Sequence, residues 1–498
     1  MTLTGQSLVA GQWIGDSANG EFNAFSPARN EPLPTRFFNL SSAELDNAID
    51  AAHSAFVEYR KTSFAQRADF LTSIADHILA LGDELLEQTH QETNLPMMRL
   101  QGERMRTVNQ LKAFAGALRE NPESPLGLKV VDEADATRAP LPKPHTELNY
   151  LPLGPVAVFG ASNFPYAFST LGGDTAAALA AGCPVIVKNH TAHPGTGELM
   201  ARAALAAIKE CAMPLGVFAM VQSKSYDTSH QLVAASAIKA VGFTGSFNVA
   251  CKLQETIAKR DEPIPFYGEL GSINPQVIMP NKAIQHGKEI AQSLCQSLLM
   301  GNGQFCTSPG LWLIPTGCDE LEAQIINSIE SAPSDTLLTP GIVKTFKQQI
   351  TERSELCNVE LLGKGQLEQE FHANAHVFAC NVDEYLATPT LHEEVFGPAA
   401  LVVRYDSEQQ LMAVIAQLQG QLTASVHGTP EDFLKVEHII EELQYKVGRL
   451  IENQMPTGVE VCGSMNHGGP FPSSTDVRST SVGTNAMLRF VRPICYQA

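Results

Sequence analysis

The sequence predicts an α/β protein with a parallel, helix-covered sheet, and three observations carry that prediction. Short apolar runs recur at Pro155–Gly160, Pro184–Lys188, Val217–Val221 and Ile238–Phe243. Helical stretches separate them, Ala-rich over 171–181 and periodic over about 195–211. Each run ends in small or polar residues: Ala161-Ser162-Asn163, Asn189-His190-Thr191, Gln222-Ser223-Lys224 and Thr244-Gly245-Ser246. Strands that alternate with helices form parallel sheets covered on both faces. Ligands on such sheets lie beyond the carboxyl ends of the strands, so the residues after each run are the first site candidates.

The other elements follow in chain order. Residues 8–26 alternate loosely around Asn19-Gly20, which predicts a hairpin turn there. Ser41 with Glu44 forms a capping box, and Leu45, Ile49, Ala52 and Phe56 follow at helical spacing. A second helix carries Leu71, Ile74, Ile78 and Leu81, and residues 85–118 are helical with a break at Pro96. Pro122, Pro125, Pro140, Pro142 and Pro144 predict an extended crossing segment over 123–155. Gly245-Ser246 opens a helix, where free N–H groups can hold a phosphate. No GxGxxG occurs here, so the pattern alone specifies a nucleotide-type sheet and no more. After residue 268 a second unit mixes helices with short strands. A helix over 284–300 leads into the turn Gly301-Asn302-Gly303-Gln304-Phe305-Cys306. The tail, 486–496, reads as a strand with no partner nearby in sequence and is expected to pair with another subunit.

The 498 residues, 44% hydrophobic and 17% charged, supply a large core. With 34 basic and 53 acidic residues the net charge is −19, which repels nucleic acid and anionic membranes. No apolar run reaches the roughly 20 residues of a membrane helix, and no signal-peptide pattern opens the chain. Ten cysteines scattered without CxxC spacing read as thiols in a reducing cytoplasm, with no metal site expected.

Four residues stand out chemically. Cys306 lies between glycines and Thr307-Ser308-Pro309, where backbone N–H groups can hold an oxyanion. Its thiolate would be a strong nucleophile, although a buried free thiol is commonly inert. Glu269 stands at a strand end, and a partly buried carboxylate of raised pKa suits a general base; the plain alternative is a solvated loop glutamate. The Asn163 amide could donate to an oxyanion or merely cap a turn. Lys188 ends a buried strand and could meet a cofactor hydroxyl or snorkel to water.

Together with their neighbours these residues resemble the aldehyde dehydrogenase superfamily over essentially the whole chain. The matching stretches are Gly160-Ala161-Ser162-Asn163-Phe164-Pro165, Val187-Lys188, Phe243-Thr244-Gly245-Ser246, Glu269-Leu270-Gly271, Gly303-Gln304-Phe305-Cys306 and Glu393-Glu394-Val395-Phe396-Gly397-Pro398. The resemblance implies a Rossmann-type cofactor domain (1–124 and 151–268) and an α/β catalytic domain (269–470). It also implies an oligomerisation arm (125–150 and 471–498) and a homodimer or homotetramer. It makes Cys306 the nucleophile, Asn163 the oxyanion donor and Glu269 the base that activates water. Lys188 and Glu394 would bind ribose hydroxyls, Gly245 and Ser246 the pyrophosphate, and Phe396 would pack near the nicotinamide.

Thr191 stands where many members have glutamate. A carboxylate there would repel a 2′-phosphate, so Thr191, with Lys224 as a second contact, predicts NADP, with NAD also accepted. Ala250 replaces a frequent glycine after the Thr-Gly-Ser turn. The stretches Met465–Pro472, Ser479–Thr484 and Arg492–Gln497 resemble 2-oxoglutarate semialdehyde dehydrogenases and bacterial NADP-dependent fatty aldehyde dehydrogenases. Overall likeness favours the semialdehyde. A long-chain aldehyde would instead need an apolar tunnel lined by residues such as Phe164 and Phe168. A substrate carboxylate would want an arginine at the tunnel mouth, which the sequence does not single out. Retention of Glu269 argues for water over phosphate or CoA as acceptor. A cysteine esterase would need a histidine beside Cys306, for which His467 is the candidate, and a non-enzymatic scaffold would not need these positions intact.

Overall fold

The structure is a computed structural model of the chain and describes residues 2–120, 127 and 130–498. It opens with a hairpin of β1 (Ser7–Val9) and β2 (Gln12–Ile14), whose turn residues Ala10 and Gly11 take φ of 48° and 76°. The turn expected at Asn19-Gly20 is therefore displaced. Asp16 Oδ1 accepts from Ala18 N at 2.8 Å, and this local bond winds Ser17–Asn19 into a 3-10 turn instead. A second hairpin follows, β3 (Glu21–Ser26) and β4 (Glu31–Phe38).

Ser41 caps α1 (Ser42–Tyr59) in a reciprocal capping box with Glu44. Then come α2 (Phe64–Ala80), α3 (Gly82–Thr93) and α4 (Met97–Arg119). The left-handed Asn94 ends α3 and Pro96 precedes α4, so the expected break is real. Pro122 and Pro125 lie outside the described residues. The rest of the crossing segment holds β5 (Val130–Asp132) and β6 (Thr146–Pro152).

The alternating region is β7 (Val156–Phe159), α5 (Gly173–Ala181), β8 (Val185–Lys188), α6 (Pro194–Glu210) and β9 (Phe218–Val221). It continues with α7 (Tyr226–Ala234), β10 (Ala240–Thr244), α8 (Phe247–Ile257) and β11 (Phe266–Glu269). The sheet runs β11-β10-β7-β8-β9-β1-β2, parallel from β11 to β9. Side-chain alternation sorts its two faces. Val156 and Val158 pack with α2, α4, α5 and α6, and Ala157 and Phe159 with α1, α7 and α8. The strand order reverses between β7 and β10, which opens a crevice at their carboxyl ends.

A second sheet is built from β12 (Gln276–Ile278), reached before α9 (Pro280–Leu299), and β13 (Leu311–Pro315), β14 (Glu360–Lys364), β15 (His376–Asn381), β16 (Ala399–Tyr405), β17 (Gln421–His427) and β18 (Val447–Glu452). Only β14 runs antiparallel in it.

The tail strand, β19 (Val491–Gln497), corrects an expectation: it pairs with β6 of its own chain, from Val491↔Pro152 to Gln497↔Thr146. Its partner is remote in sequence, which is why the sequence hid it. Residues 471–498 thus divide, 473–475 running against β11 and 491–497 joining the third sheet, β19-β6-β5. Among the described residues no helix is long and apolar enough to cross a membrane.

One buried ion pair sets where the tail begins. Arg489 Nη2 meets Asp174 Oδ1 of α5 at 2.7 Å, with side chains only 4% and 10% exposed. Removing one partner strands the other charge, so Arg489→Met is expected to cost about 3–5 kcal/mol in urea unfolding. A loss under about 1 kcal/mol would show the pair to be incidental.

Candidate active site

Three distant segments meet at the crevice. β11 delivers Glu269 as its last residue. The turn after α9 delivers Cys306, through left-handed Gly301, Asn302 and Gly303 at φ 58°, 52° and 70°. A Cβ at Gly303 would run into the Gly397 carbonyl, and Asn302 Nδ2 donates to Asp335 O at 2.9 Å, so this turn is rigidly held. The third segment is the loop around Gly468-Gly469, which brings His467.

Cys306 Sγ lies 3.5 Å from His467 Nε2, and the same nitrogen is 2.8 Å from Glu269 Oε1. Ser481 Oγ donates to Glu269 Oε2 at 2.7 Å. The ligand-type atoms of Glu269, Cys306 and His467 lie within 4.8 Å of one another. This is an acid–base cluster more than a metal centre. At 2.8 Å, His467 and Glu269 share a proton, whereas two ligands of one tetrahedral zinc, each bonded at about 2.0–2.1 Å, sit roughly 3.3 Å apart. Asn274 Nδ2 supports the turn from behind, donating to Cys306 O and Ser308 O at 2.9 Å.

The electrostatics correct one expectation. Burial works to raise the Glu269 carboxyl, but His467, Ser481 and the Cys306 thiol overcome it, and Glu269 is held below the usual carboxylate range. The sequence predicted a raised value because it showed burial and hid the donors. Cys306 moves the other way. Burial, then the negative charge of Glu269, pushes its thiol well above the ordinary range, and Arg106 opposes them. The resting pair is therefore thiol and carboxylate, with the proton acceptor already in place.

The loop after β7 supplies the opposite wall. Asn163 is buried, and its Nδ2 donates to Gln304 O at 2.9 Å, which ties the amide to the Cys306 turn. Phe164 contacts both Phe168 and Phe305 edge-on, with centroids 5.4 and 5.2 Å apart. Phe168 lies 6.0 Å from the His467 ring.

The residues expected to hold a dinucleotide ring the same crevice, and three of them are uncommitted. Lys188 has no hydrogen-bond or ion-pair partner among the described residues, and burial alone pulls its amine down to about 8. Its neighbours His190 and His193 are kept neutral by burial, so Lys188 is the local cation. Burial pushes Glu394 up to about 8, with only a backbone N–H, from Ser272, in opposition. Ser246 is the N-cap of α8 and makes no capping bond, so its hydroxyl and the helix N–H groups beyond Gly245 remain free. Half-buried Lys188 and Glu394, together with the exposed N-terminus of α8, fit a polar, hydroxylated and anionic ligand.

Thr191 is half-buried on the loop after β8 and Phe396 half-buried beside Glu394. Lys224 is exposed, and its contact is a backbone one, N to Asn39 Oδ1 at 2.8 Å. Asn189 is fully buried, donating from Nδ2 to Pro194 O at 3.0 Å and Gln222 Oε1 at 3.1 Å. The sequence reading gave no role to Ser481, Asn274 or Arg106, and considered His467 only for ester hydrolysis. Ser481 was visible only as part of Ser479–Thr484.

The raised thiol sets a pH dependence. The reactive thiolate fraction grows as pH rises, so iodoacetamide labelling of Cys306, followed by intact mass, should accelerate continuously from about pH 7 to about pH 9. A rate already flat below about pH 8 would mean the thiol is not raised.

Residues 13–491 match the sequence profile of the Aldehyde dehydrogenase family. The chain is 43% identical to an alpha-ketoglutaric semialdehyde dehydrogenase 2 of Azospirillum brasilense, across 100% of this chain and 95% of the relative. It is 39% identical to an alpha-ketoglutaric semialdehyde dehydrogenase of Acinetobacter baylyi, across 99% and 93%. An NADP-dependent glyceraldehyde-3-phosphate dehydrogenase from Bacillus halodurans, solved with NADP, superposes with a TM-score of 0.85 over 100% of this chain and 99% of that one, at 21% identity. That likeness speaks for the fold, and the sequence matches speak for kinship: the chain belongs to the aldehyde dehydrogenase family.

Proposed function

We propose that this enzyme oxidises 2-oxoglutarate semialdehyde (2,5-dioxopentanoate) to 2-oxoglutarate, with NADP as the favoured coenzyme and NAD also accepted. The observation that carries it is Cys306 set between the Asn163 wall and the Glu269–His467 couple. The full-length relatives named for this semialdehyde support the substrate.

In this reading the Cys306 proton passes to the Glu269–His467 couple as sulfur attacks the aldehyde carbon. The C–S bond forms, and the carbonyl electron pair moves to oxygen. Asn163 Nδ2 and the Cys306 backbone N–H receive that oxyanion, and one such donor is worth about 3–4 kcal/mol. NADP, when bound, would supply the hydride acceptor; as the former aldehyde carbon loses its hydride and the oxyanion pair re-forms the C=O bond, Cys306 is left as a thioester. Once the couple has passed that first proton to solvent, Glu269 takes a proton from water, whose oxygen attacks the thioester carbon; the C–S bond breaks, the sulfur regains a proton and the carboxylate leaves. Lys188 and Glu394 would hold ribose hydroxyls, Gly245 and Ser246 the pyrophosphate, and Thr191 and Lys224 the 2′-phosphate, with Phe396 near the nicotinamide. Phe164 and Phe168 line the substrate passage.

The first sheet serves the coenzyme, the second the chemistry, and the third is the arm of a homodimer or homotetramer. Its outer strands expose Val130, Val131 and Tyr496. The ten cysteines are all free, in keeping with a reducing cytoplasm.

A second reading has one observation in its favour: a histidine, His467, stands 3.5 Å from Cys306 Sγ, as a cysteine esterase needs, although the nitrogen that faces the thiol is the one bonded to Glu269. Coenzyme-free turnover of an ester exceeding aldehyde oxidation would support it.

Reduction of nicotinamide should be more efficient with 2-oxoglutarate semialdehyde than with a long-chain aldehyde, and with NADP than with NAD. Preference for the long-chain aldehyde would overturn the substrate, and preference for NAD the role of Thr191. In Glu269→Gln, steady-state turnover should fall by about 10²–10⁴-fold while a stoichiometric burst of reduced coenzyme survives. Loss of the burst as well would show that the Cys306 proton cannot leave without Glu269.

A further inference from the structure

We infer that Arg106 is the anchor for the substrate's carboxylate, so that a short 2-oxo acid lies stretched between this guanidinium and Cys306. The subsite rests on the aldehyde chemistry proposed above and adds a reason for selecting an anion.

Helix α4 carries Arg99, Glu103 and Arg106 at spacings of four and three residues, hence on one face. That face lies over the aromatic wall. The Arg99 guanidinium sits 5.2 Å from the Phe164 centroid and 4.7 Å from that of Phe305. Arg106 sits 5.2 Å above Phe168. Phe168 adjoins His467, and His467 adjoins the thiol. Arg106 is thus linked to the reacting sulfur through two ring contacts.

The arginines near Cys306 differ in what they are committed to. Arg99 donates to Asn163 O at 2.6 Å. Arg449 donates to Pro456 O at 2.6 Å and Gly458 O at 3.0 Å. Both hold loops. The sole hydrogen bond of Arg106 among the described residues is a long one, Nη2 to Val459 O at 3.4 Å, and its Nη1 is shielded from solvent with no partner. Glu103 is the strongest opposing charge that Arg106 feels, but no hydrogen bond joins the two. Glu103 Oε1 accepts from Tyr166 N and Ala167 N at 2.8 and 3.0 Å, and Oε2 has no partner. One turn along the same face, the buried Gln110 Nε2 is also unpartnered.

Desolvated donors left open are costly, and a carboxylate answers a guanidinium with two parallel charge-assisted bonds. Cys306 and Glu269 both feel the Arg106 charge, so it acts within the reacting cavity. An alkyl tail in the same place would leave that charge desolvated and unpaired. The arginine that the sequence could not single out is therefore assigned.

The test compares wild type, Arg106→Met and Arg106→Lys on 2-oxoglutarate semialdehyde and on pentanal, a neutral aldehyde of like length. Arg106→Met is expected to lower kcat/KM for the semialdehyde about tenfold or more beyond any change for pentanal, chiefly through KM, with partial recovery in Arg106→Lys. In a second arm, 2-oxoglutarate should slow iodoacetamide labelling of Cys306 in wild type and not in Arg106→Met. Equal losses on both aldehydes, or undiminished protection in Arg106→Met, would overturn the anchor. A wild type that fails to oxidise the semialdehyde would overturn the proposed substrate instead, and the protection arm would still decide whether Arg106 binds a carboxylate.

Discussion

The 2.8 Å hydrogen bond between Glu269 and His467 joins parts of the chain that share nothing else in sequence. On one side is the end of a strand in the first sheet. On the other is a loop reached only after the second sheet is complete. Short ladder-like contacts prepare the meeting: Leu270 N donates to Ser473 O at 2.8 Å, and Thr475 Oγ1 bridges Gly268 N and Phe266 O. These bonds place the 473–475 segment along β11 and so fix how the 467 and 481 loops approach the carboxylate. Without them the Cys306 thiol would face an unaccompanied buried charge.

A chain of net charge −19 nonetheless directs positive or donor groups into its crevice. Lys188, the free end of α8 and the Asn163 amide stand beyond the carboxyl ends of the first sheet's strands, and Arg106 stands against Phe168. The negative groups there, Glu269 and Glu394, are shielded by donors or by burial that favours the neutral form. The local field is thus inverted relative to the surface, as a site for anionic coenzyme and anionic substrate requires.

Much of this was legible in the sequence where the physics is local. Buried strands with polar ends announced the first sheet, and the Ser41–Glu44 box announced α1 to the residue. Cys306, Glu269 and Asn163 stood out because turn glycines and strand ends are local features. What was hidden depends on long-range pairing. The β19–β6 ladder joins residues more than three hundred positions apart, and nothing local in the tail names its partner. The Asn19-Gly20 turn failed because Asp16 competes for the backbone just before it. Glu269 was misjudged electrostatically since His467 and Ser481 come from about two hundred residues downstream. Arg106 was invisible because its meaning lies in a missing partner, which only coordinates reveal.

The loop after β8 carries a historical constraint. Asn189 is locked between Pro194 and Gln222, and a Cβ at Gly197 would run into its amide. Asparagine at 189 and glycine at 197 are therefore a matched pair: neither position is free to drift while the other stands. A chain that replaced Asn189 would first have to dissolve this buried polar latch. Residue 191 sits two positions along the same loop, so the backbone path that presents it is set by this packing contact.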